Sequence, residues 1–119
     1  MATVKIGGKE YPIKFTVNVL AAIQKRYGDV AKWSDYMGDI GETLWILRTL
    51  INEGIAYDNY FRGQNNPEFK DERAFGMLVS IDDLNSPAIV DAIVEAYNES
   101  VAGEKKFTAE ELMSLASKI

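Results

Sequence analysis

The sequence contains no cysteine and no histidine among its 119 residues. Without cysteine, the chain cannot form disulfides, thiolate metal sites or a thiol nucleophile. Without histidine, it lacks the commonest general base and the commonest zinc ligand. An enzyme built from this chain would have to rely on carboxylates, lysine, tyrosine or serine alone. We therefore expect a protein that is not an enzyme and that uses no metal and no cofactor.

The chain is acidic, and its basic residues are not grouped. Asp and Glu number 18 against 13 Lys and Arg, which gives a net charge of −5. The longest basic runs are pairs, as in Lys25-Arg26 and Lys105-Lys106. Nucleic-acid-binding proteins usually present clustered basic side chains, and an anionic membrane repels an acidic surface. We expect neither a nucleic-acid partner nor a membrane partner.

The sequence also lacks long hydrophobic runs. The run of large apolar side chains at Leu44–Leu47 is far shorter than the roughly 20 residues that a membrane-spanning helix needs. The first residues are polar and strand-like, unlike a secretory signal. We expect a cytoplasmic protein with one domain over residues 1–119, because a chain of this length can bury roughly 65% of its unfolded surface.

The first fifteen residues have the pattern of a β-hairpin, spanning about residues 3–15. Gly7-Gly8 is a two-residue loop that suits a primed turn, in which positive φ angles are required. Apolar residues alternate with polar ones on both sides of this loop, as strands require. They are Val4, Ile6, Tyr11, Ile13 and Phe15.

Helical patterns fill the rest of the chain. Thr16 is a suitable N-cap for a helix over Val17–Tyr27, and Gly28 is suited to end that helix in the left-handed conformation. Residues 29–38 are expected to be a partly helical connection. A second helix is predicted from about Asp39 to Phe61, apolar nearly all round and therefore central, although an interior glycine weakens it.

The second half begins with a polar loop at Gln64–Pro67. A short helix that carries Phe75 should follow, and Asp82–Asn85 should form another connection. Ser86-Pro87 is an N-cap followed by proline, which predicts a helix that ends near Gly103. A capping box at Thr108 and Glu111 predicts a last helix. The fold class is therefore α+β, mostly α: a hairpin followed by a compact bundle of four to six helices over residues 16–119.

Two local clusters of side chains are candidate functional sites. Asp82-Asp83 could bind a metal or act as an acid–base pair, but adjacent loop residues point apart and no third ligand has suitable spacing. A solvated turn is the favoured interpretation. The second cluster is aromatic, and Tyr and Phe are enriched at interfaces, so it is a candidate partner-binding patch; the alternative is ordinary core packing. Its members are Tyr57, Tyr60, Phe61, Phe69 and Phe75.

The opening Lys-Ile-Gly-Gly-Lys-Glu-Tyr-Pro-Ile-Lys-Phe-Thr, residues 5–16, resembles the tail assembly chaperones of long-tailed (siphovirus-type) bacteriophages or prophages of Gram-positive bacteria. Residues 44–54 resemble the central apolar helix of that family. Residues 70–83 and 84–100 resemble its short and long later helices. The resemblance covers residues 4–101, and Asn65–Pro67 is an insertion relative to it.

This resemblance implies a protein-binding role in phage morphogenesis without catalysis. Such chaperones bind the long, aggregation-prone tape measure protein in the host bacterial cytoplasm, keep it soluble while the tail tube assembles, and are absent from the mature virion. Many have a longer form, made by ribosomal frameshifting, that engages the major tail (tube) protein. A chain that ends at Ile119 matches the short form. A homo-oligomer is also possible.

Three other functions stay open at the level of sequence. The chain could be a neck or tail-terminator subunit that remains in the virion, or a small adaptor domain that binds another protein. It could also be a small carboxylate enzyme, which is disfavoured because the usual catalytic residue constellations are missing.

Overall fold

The protein folds as an antiparallel β-hairpin followed by a helical body, which confirms the predicted class. A computed structural model describes residues 1–101. The elements in chain order are β1 (Thr3–Ile6), β2 (Lys9–Pro12), α1 (Val17–Tyr27), a 3₁₀ helix (Val30–Tyr36), α2 (Ile40–Phe61), α3 (Glu72–Leu78), α4 (Ile81–Asn85) and α5 (Pro87–Ser100).

The hairpin turns at the two predicted glycines. Gly7 and Gly8 have φ angles of +59° and +82°, and two positive φ angles in succession are the requirement of a type I′ turn. The strands pair with Val4 opposite Tyr11. The second strand ends at Pro12, earlier than the predicted limit near residue 15. The Ile13 amide still donates to the Ala2 carbonyl at 3.0 Å, but the Lys14 amide donates to the Leu50 carbonyl of α2 instead.

The predicted helix boundaries of α1 and α2 are confirmed by their caps. The Thr16 hydroxyl accepts a hydrogen bond from the Val19 amide, and Gly28 ends α1 with a φ of +83°. The Asp39 carboxylate accepts from the Glu42 amide at the start of α2. Between these helices, residues 30–36 form the 3₁₀ helix, whose Trp33 is buried.

Helix α2 is central, as its apolar sequence predicted. It contacts β2, α1, the 3₁₀ helix and α3, whereas α5 packs against β1. The hairpin turns one face toward the core, because Val4 and Ile6 are buried whereas Thr3 and Lys5 between them are exposed, and each strand contacts a different helix. The most deeply buried large side chains of the core are Phe75, Ile6, Ile13, Ile23, Ile46, Leu47, Leu50, Ile51 and Ile93.

A close approach between the hairpin and α2 explains the glycine inside that helix. A methyl group on Gly54 would lie 2.9 Å from the Ile13 nitrogen and would overlap the Pro12 carbonyl. One turn earlier, the Leu50 carbonyl accepts a hydrogen bond from the Lys14 amide at 3.2 Å. Position 54 thus requires glycine, because the main chain at Pro12 and Ile13 crosses α2 too closely to leave room for a side chain.

Helix α1 is attached to α2 through a charged and aromatic cluster. Arg26 Nε and the Tyr27 hydroxyl both donate to Glu42 Oε2, at 2.7 and 2.9 Å. The guanidinium of Arg26 also lies 4.6 Å from the Trp45 ring centre, and Tyr27 stacks on Tyr36. The hydrogen bond from Arg26 lowers the pKa of the Glu42 carboxyl, so Glu42 is ionised at neutral pH.

The expectation of a connection at residues 82–85 was wrong, because these residues belong to α4. Ser80 and Asp83 form a capping box, in which the Ser80 hydroxyl accepts from the Asp83 amide and the Asp83 carboxylate accepts from the Ser80 amide. That carboxylate also accepts from the Gly7 amide at 3.2 Å. The short helix is therefore fixed by a long-range contact with the hairpin turn.

Helix α5 begins at the predicted Ser86-Pro87 signal but ends earlier than predicted. Its last residue is Ser100, and Val101 has an extended backbone, with φ −88° and ψ 118°. The β-branched side chain of Val101 favours this extended conformation over a helical one. Gly103, the predicted end, and the predicted last helix with Thr108 and Glu111 lie outside the described residues.

We expect Gly54→Ala to lower the free energy of unfolding by about 1–3 kcal/mol, the usual cost of overpacking a tight contact. Gly76→Ala is the matched control, because a methyl group there would lie 3.8 Å from Leu44 Cδ1, an ordinary contact. That variant should gain about 0.5–1 kcal/mol, since alanine is the better helix former. Urea unfolding of both variants measures the difference. Equal effects would contradict the close approach.

The hydrogen bonds to Asp83 predict that its contribution to the free energy of unfolding depends on pH. Hydrogen bonds from the Ser80 and Gly7 amides lower the pKa of the Asp83 carboxyl. Its contribution is therefore present above the ordinary carboxyl pKa of about 3.9 and is lost as the pH falls through the lower folded value. Asp83→Ala should lower stability by about 1 kcal/mol at pH 7.

The difference in unfolding free energy between Asp83→Ala and the wild type should shrink as the pH is lowered from 7 toward 2. Asp82→Ala is the control, because Asp82 is exposed and belongs to the same helix. A difference for Asp83→Ala that stays constant with pH would rule out the ionised carboxylate as its cause.

Candidate functional site

The structure divides the five predicted patch residues into two groups. Tyr57, Tyr60 and Phe61 lie on the last turns of α2, and the rings of Tyr57 and Phe61 pack together with centres 4.8 Å apart. Phe69 and Phe75 lie in the segment after α2 and at the centre of α3. The two groups therefore face different surroundings, although the sequence places them around one loop.

Phe75 has to be removed from the predicted partner-binding patch. Its exposure is 0%, so no atom of its side chain can meet a partner in this fold. The ring packs against Phe69, which is half-buried and also contacts Tyr11 edge-on with ring centres 5.4 Å apart. The sequence could not separate Phe75 from Phe61, because both are Phe residues at helical spacing from other apolar residues.

Tyr60 and Phe61 are among the most exposed large hydrophobic residues that the structure describes. Their exposures are 85% and 74%, and Val17 at the start of α1 is 80% exposed. These three side chains, with Tyr57 and Lys14, line a groove of about 360 Å³ that we name the α1–α2 groove. Large apolar side chains grouped around a groove are typical of surfaces that bind other proteins.

Polar groups fix the two helices that form the α1–α2 groove. Glu53 Oε1 accepts hydrogen bonds from the Thr16 hydroxyl at 2.7 Å and from Asn18 Nδ2 at 3.2 Å. Because Thr16 is the N-cap of α1, this carboxylate attaches the start of α1 to α2. Lys14 Nζ lies 4.1 Å from the centre of the Tyr57 ring. The lining of the groove thus combines apolar side chains with one anionic and one cationic group.

Sequence reasoning missed Val17 and Lys14 as members of the groove. Val17 lies three residues before Leu20, so it extends the apolar stripe of α1 and looks like a core residue. In the folded chain it is 80% exposed, whereas Val19 two residues later is buried. Lys14 alternates with buried Ile13 and Phe15, a pattern that indicates exposure but no role.

A second arrangement joins α2 to the segment that follows it. Asn52 Oδ1 accepts from the Phe69 amide at 2.7 Å, and its Nδ2 donates to the Phe69 carbonyl at 2.8 Å. Asn59 binds Asn66 in the same way: its Oδ1 accepts from the Asn66 amide at 3.0 Å, and its Nδ2 donates to the Asn66 carbonyl at 2.9 Å. Arg48 Nη1 donates to the Phe69 carbonyl as well. We name the pair Asn52 and Asn59 the amide ladder and residues 64–70 the strap.

The amide ladder was also missed, although the sequence contains a signal for it. Asn is a poor helix former, because its side chain competes for main-chain hydrogen bonds. Two asparagines inside one long helix, seven residues apart, lie nearly on one face since seven residues are close to two turns. Their spacing indicates a shared role, but only the folded chain shows that their partner is the main chain.

Two carboxyl groups in residues 1–101, those of Glu42 and Asp83, have a shifted pKa. Hydrogen bonds lower the pKa of each. Within the same residues, no group of three or more Asp or Glu side chains is placed to hold a metal ion. No helix in this part of the chain has the length and apolar character that crossing a membrane requires.

Comparison of the chain with known proteins gives no relative. No protein-family model, no curated protein and no solved structure matches it.

The division of the aromatic residues predicts that the same substitution destabilises the protein by very different amounts at two sites. Phe75→Ala should lower the free energy of unfolding by about 3–5 kcal/mol, because it leaves a cavity in the core. Phe61→Ala should lower it by less than about 1 kcal/mol, the size of an exposed aromatic contact. Chemical denaturation measures both. If Phe61→Ala is as destabilising as Phe75→Ala, the exposed groove is not present in solution.

Proposed function

We propose that this chain is a tail assembly chaperone of a long-tailed bacteriophage or prophage. It binds the tape measure protein in the cytoplasm of the host bacterium and keeps that protein soluble while tail-tube subunits assemble. It acts by binding alone, without catalysis, and is absent from the finished virion. A longer frameshifted form would add contact with the major tail protein. The family is suggested by residues 5–16, and the binding role is supported by the α1–α2 groove.

The observation that carries the proposal is the exposure of apolar side chains on the α1–α2 groove. Val17, Tyr60 and Phe61 each expose roughly three quarters or more of their surface, although Val and Phe are among the types that folding most often buries. Exposed apolar surface of this kind is unfavourable in water, so a partner that covers it gains free energy in proportion to the area removed from water. A chaperone needs such a surface on its outside.

The groove has the form that an amphipathic helix of a client requires. Helix-in-groove recognition uses apolar side chains at spacings of three and four residues, which enter an apolar cleft. Here the aromatic rings of α2 form one wall and Val17 forms the other. Long tape measure proteins that aggregate must expose apolar stripes. A chaperone that covers those stripes prevents the aggregation.

The charge of the chain supports a role in keeping a client soluble. The net charge is −5, and charge of one sign limits the association of the complexes with each other. Lys14 and Glu53 at the groove give a client helix one group of each sign to pair with. These groups favour orientation of the bound helix more than they add to affinity.

We expect co-expression of this chain with its cognate tape measure protein to move the client from the insoluble to the soluble fraction. The double variant Tyr60→Ser and Phe61→Ser should lose most of this effect while its melting temperature changes little, because both side chains are exposed. Quantitative gel analysis of the two fractions provides the measurement.

The control is the double variant Met77→Ser and Ile81→Ser, which removes two equally exposed apolar side chains outside the groove. It should rescue the client as well as the wild type does. Failure of the wild type to rescue its cognate client would refute the chaperone role. Mass spectrometry of purified virions separates this role from that of a neck or tail-terminator subunit, which would be found in the particles.

A further inference from the structure

The strap lies along α2 in an extended conformation, antiparallel to the helix. The two ladder residues are seven positions apart, a distance of about 10.5 Å along a helix axis. Their partners, Asn66 and Phe69, are three positions apart and run in the opposite direction. Three residues of fully extended chain span at most about 10–11 Å, so the chain from Asn66 to Phe69 must be nearly fully extended. Pro67 favours this, because it keeps Asn66 out of the helical region.

Few contacts besides the ladder attach the strap to the body. Within the described residues, no main-chain group from 65 to 70 is hydrogen-bonded to another main-chain group. The side chains of the strap are exposed, except that of Phe69, whose ring packs on Tyr11 and Phe75. The attachment consists of one aromatic anchor, two asparagine side chains, Arg48 and, at the start of the strap, a hydrogen bond from the Gln64 amide to the Asp58 carbonyl at 3.3 Å.

The ladder contacts the main chain of the strap rather than its side chains. Each asparagine donates to the carbonyl and accepts from the amide of one residue, and every residue other than proline offers both groups. Recognition at Asn66 is therefore independent of side-chain identity. At Phe69 the main-chain contact is combined with an aromatic ring in a pocket. The surface thus fits an extended polypeptide with one aromatic side chain.

The strap leaves one hydrogen-bond donor of this surface without a partner. Arg48 Nη1 reaches the Phe69 carbonyl, but Arg48 Nε is buried and makes no hydrogen bond to a protein atom. A buried donor without a partner is unfavourable. Another extended chain that places an acceptor there would satisfy this donor in addition to the ladder, which favours exchange of the strap for a better ligand.

We propose that the α2 face formed by Arg48, Asn52 and Asn59 is a binding surface for an extended polypeptide with an aromatic residue, and that the strap occupies it until such a partner replaces it. The aromatic residue takes the place of Phe69, and the residue three positions earlier takes the place of Asn66. This surface is separate from the α1–α2 groove and does not depend on the proposed chaperone function. Synthetic peptides can test it without any phage protein.

The test compares the wild type with a full-length variant in which residues 64–70 are replaced by seven Gly and Ser residues. The probe is a synthetic peptide with the sequence of residues 63–71, titrated while the side-chain amide signals of Asn52 and Asn59 are followed by NMR. The variant should bind the peptide saturably. The wild type should bind it at least tenfold more weakly, because its own strap competes from within the chain.

Three matched controls examine the chemistry of recognition. A peptide with Phe69→Ala should bind at least tenfold more weakly, whereas one that keeps only Pro67 and Phe69 and has serine elsewhere should bind within threefold. In the variant chain, Asn52→Ala should weaken binding at least tenfold, and Asn85→Ala, a change of an exposed asparagine on α4, should not. Absence of binding to the folded variant, equal binding to the wild type, or no effect of Asn52→Ala overturns the proposal.

Hydrogen exchange of the unmodified protein gives a result even where the replacement variant does not fold. The amides of Asn66 and Phe69 donate only to the ladder, so displacement of the strap exposes them to solvent while α2 stays folded. They should exchange at least tenfold faster than the amides of Leu50 and Ile51 in the centre of α2. Exchange of all four at the same rate would mean that the strap opens only on global unfolding, and this would overturn the proposal.

Discussion

The main chain of the hairpin packs directly against the main chain of α2, and this contact positions the other elements of the fold. Gly54 leaves room for the Pro12 carbonyl, and the Lys14 amide reaches the Leu50 carbonyl one turn earlier. A side chain at position 54 would push the hairpin outward. The hairpin in turn carries Val4 and Ile6 into the core and offers the Gly7 amide to α4, so its distance from α2 affects the whole body.

Three consecutive residues of α2 contact three different parts of the chain. The Asn52 side chain hydrogen-bonds the strap, and the Glu53 carboxylate hydrogen-bonds the start of α1. Gly54 leaves room for the main chain of the hairpin. Successive residues of a helix point about 100° apart, so neighbours in sequence serve different faces. A helix that is packed on several sides can therefore position two candidate binding surfaces at once: the α1–α2 groove beside Glu53 and the strap beside Asn52.

The two surfaces suit different forms of polypeptide. The α1–α2 groove offers exposed aromatic and apolar side chains, which suit the apolar stripe of a folded helix. The amide ladder offers hydrogen bonds to the main chain, which only an extended segment leaves available, since a helix uses its own main-chain groups internally. A protein that binds a long and partly folded client would use both forms of recognition.

Features that rest on local chemistry can be predicted from the residues of this chain, whereas features that rest on contacts between distant residues cannot. The hairpin turn at Gly7-Gly8 and the caps at Thr16 and Gly28 follow from residues next to one another, and they were predicted correctly. Burial was different, because Phe61 and Phe75 have the same side chain but only Phe75 is covered by distant elements. The helix at 81–85 has a local signal, the Ser80–Asp83 capping box, which the prediction of a connection overlooked. Contacts between residues far apart in sequence also decided that Gly54 is a crossing point. Such contacts depend on the arrangement of the whole chain, which no local pattern contains.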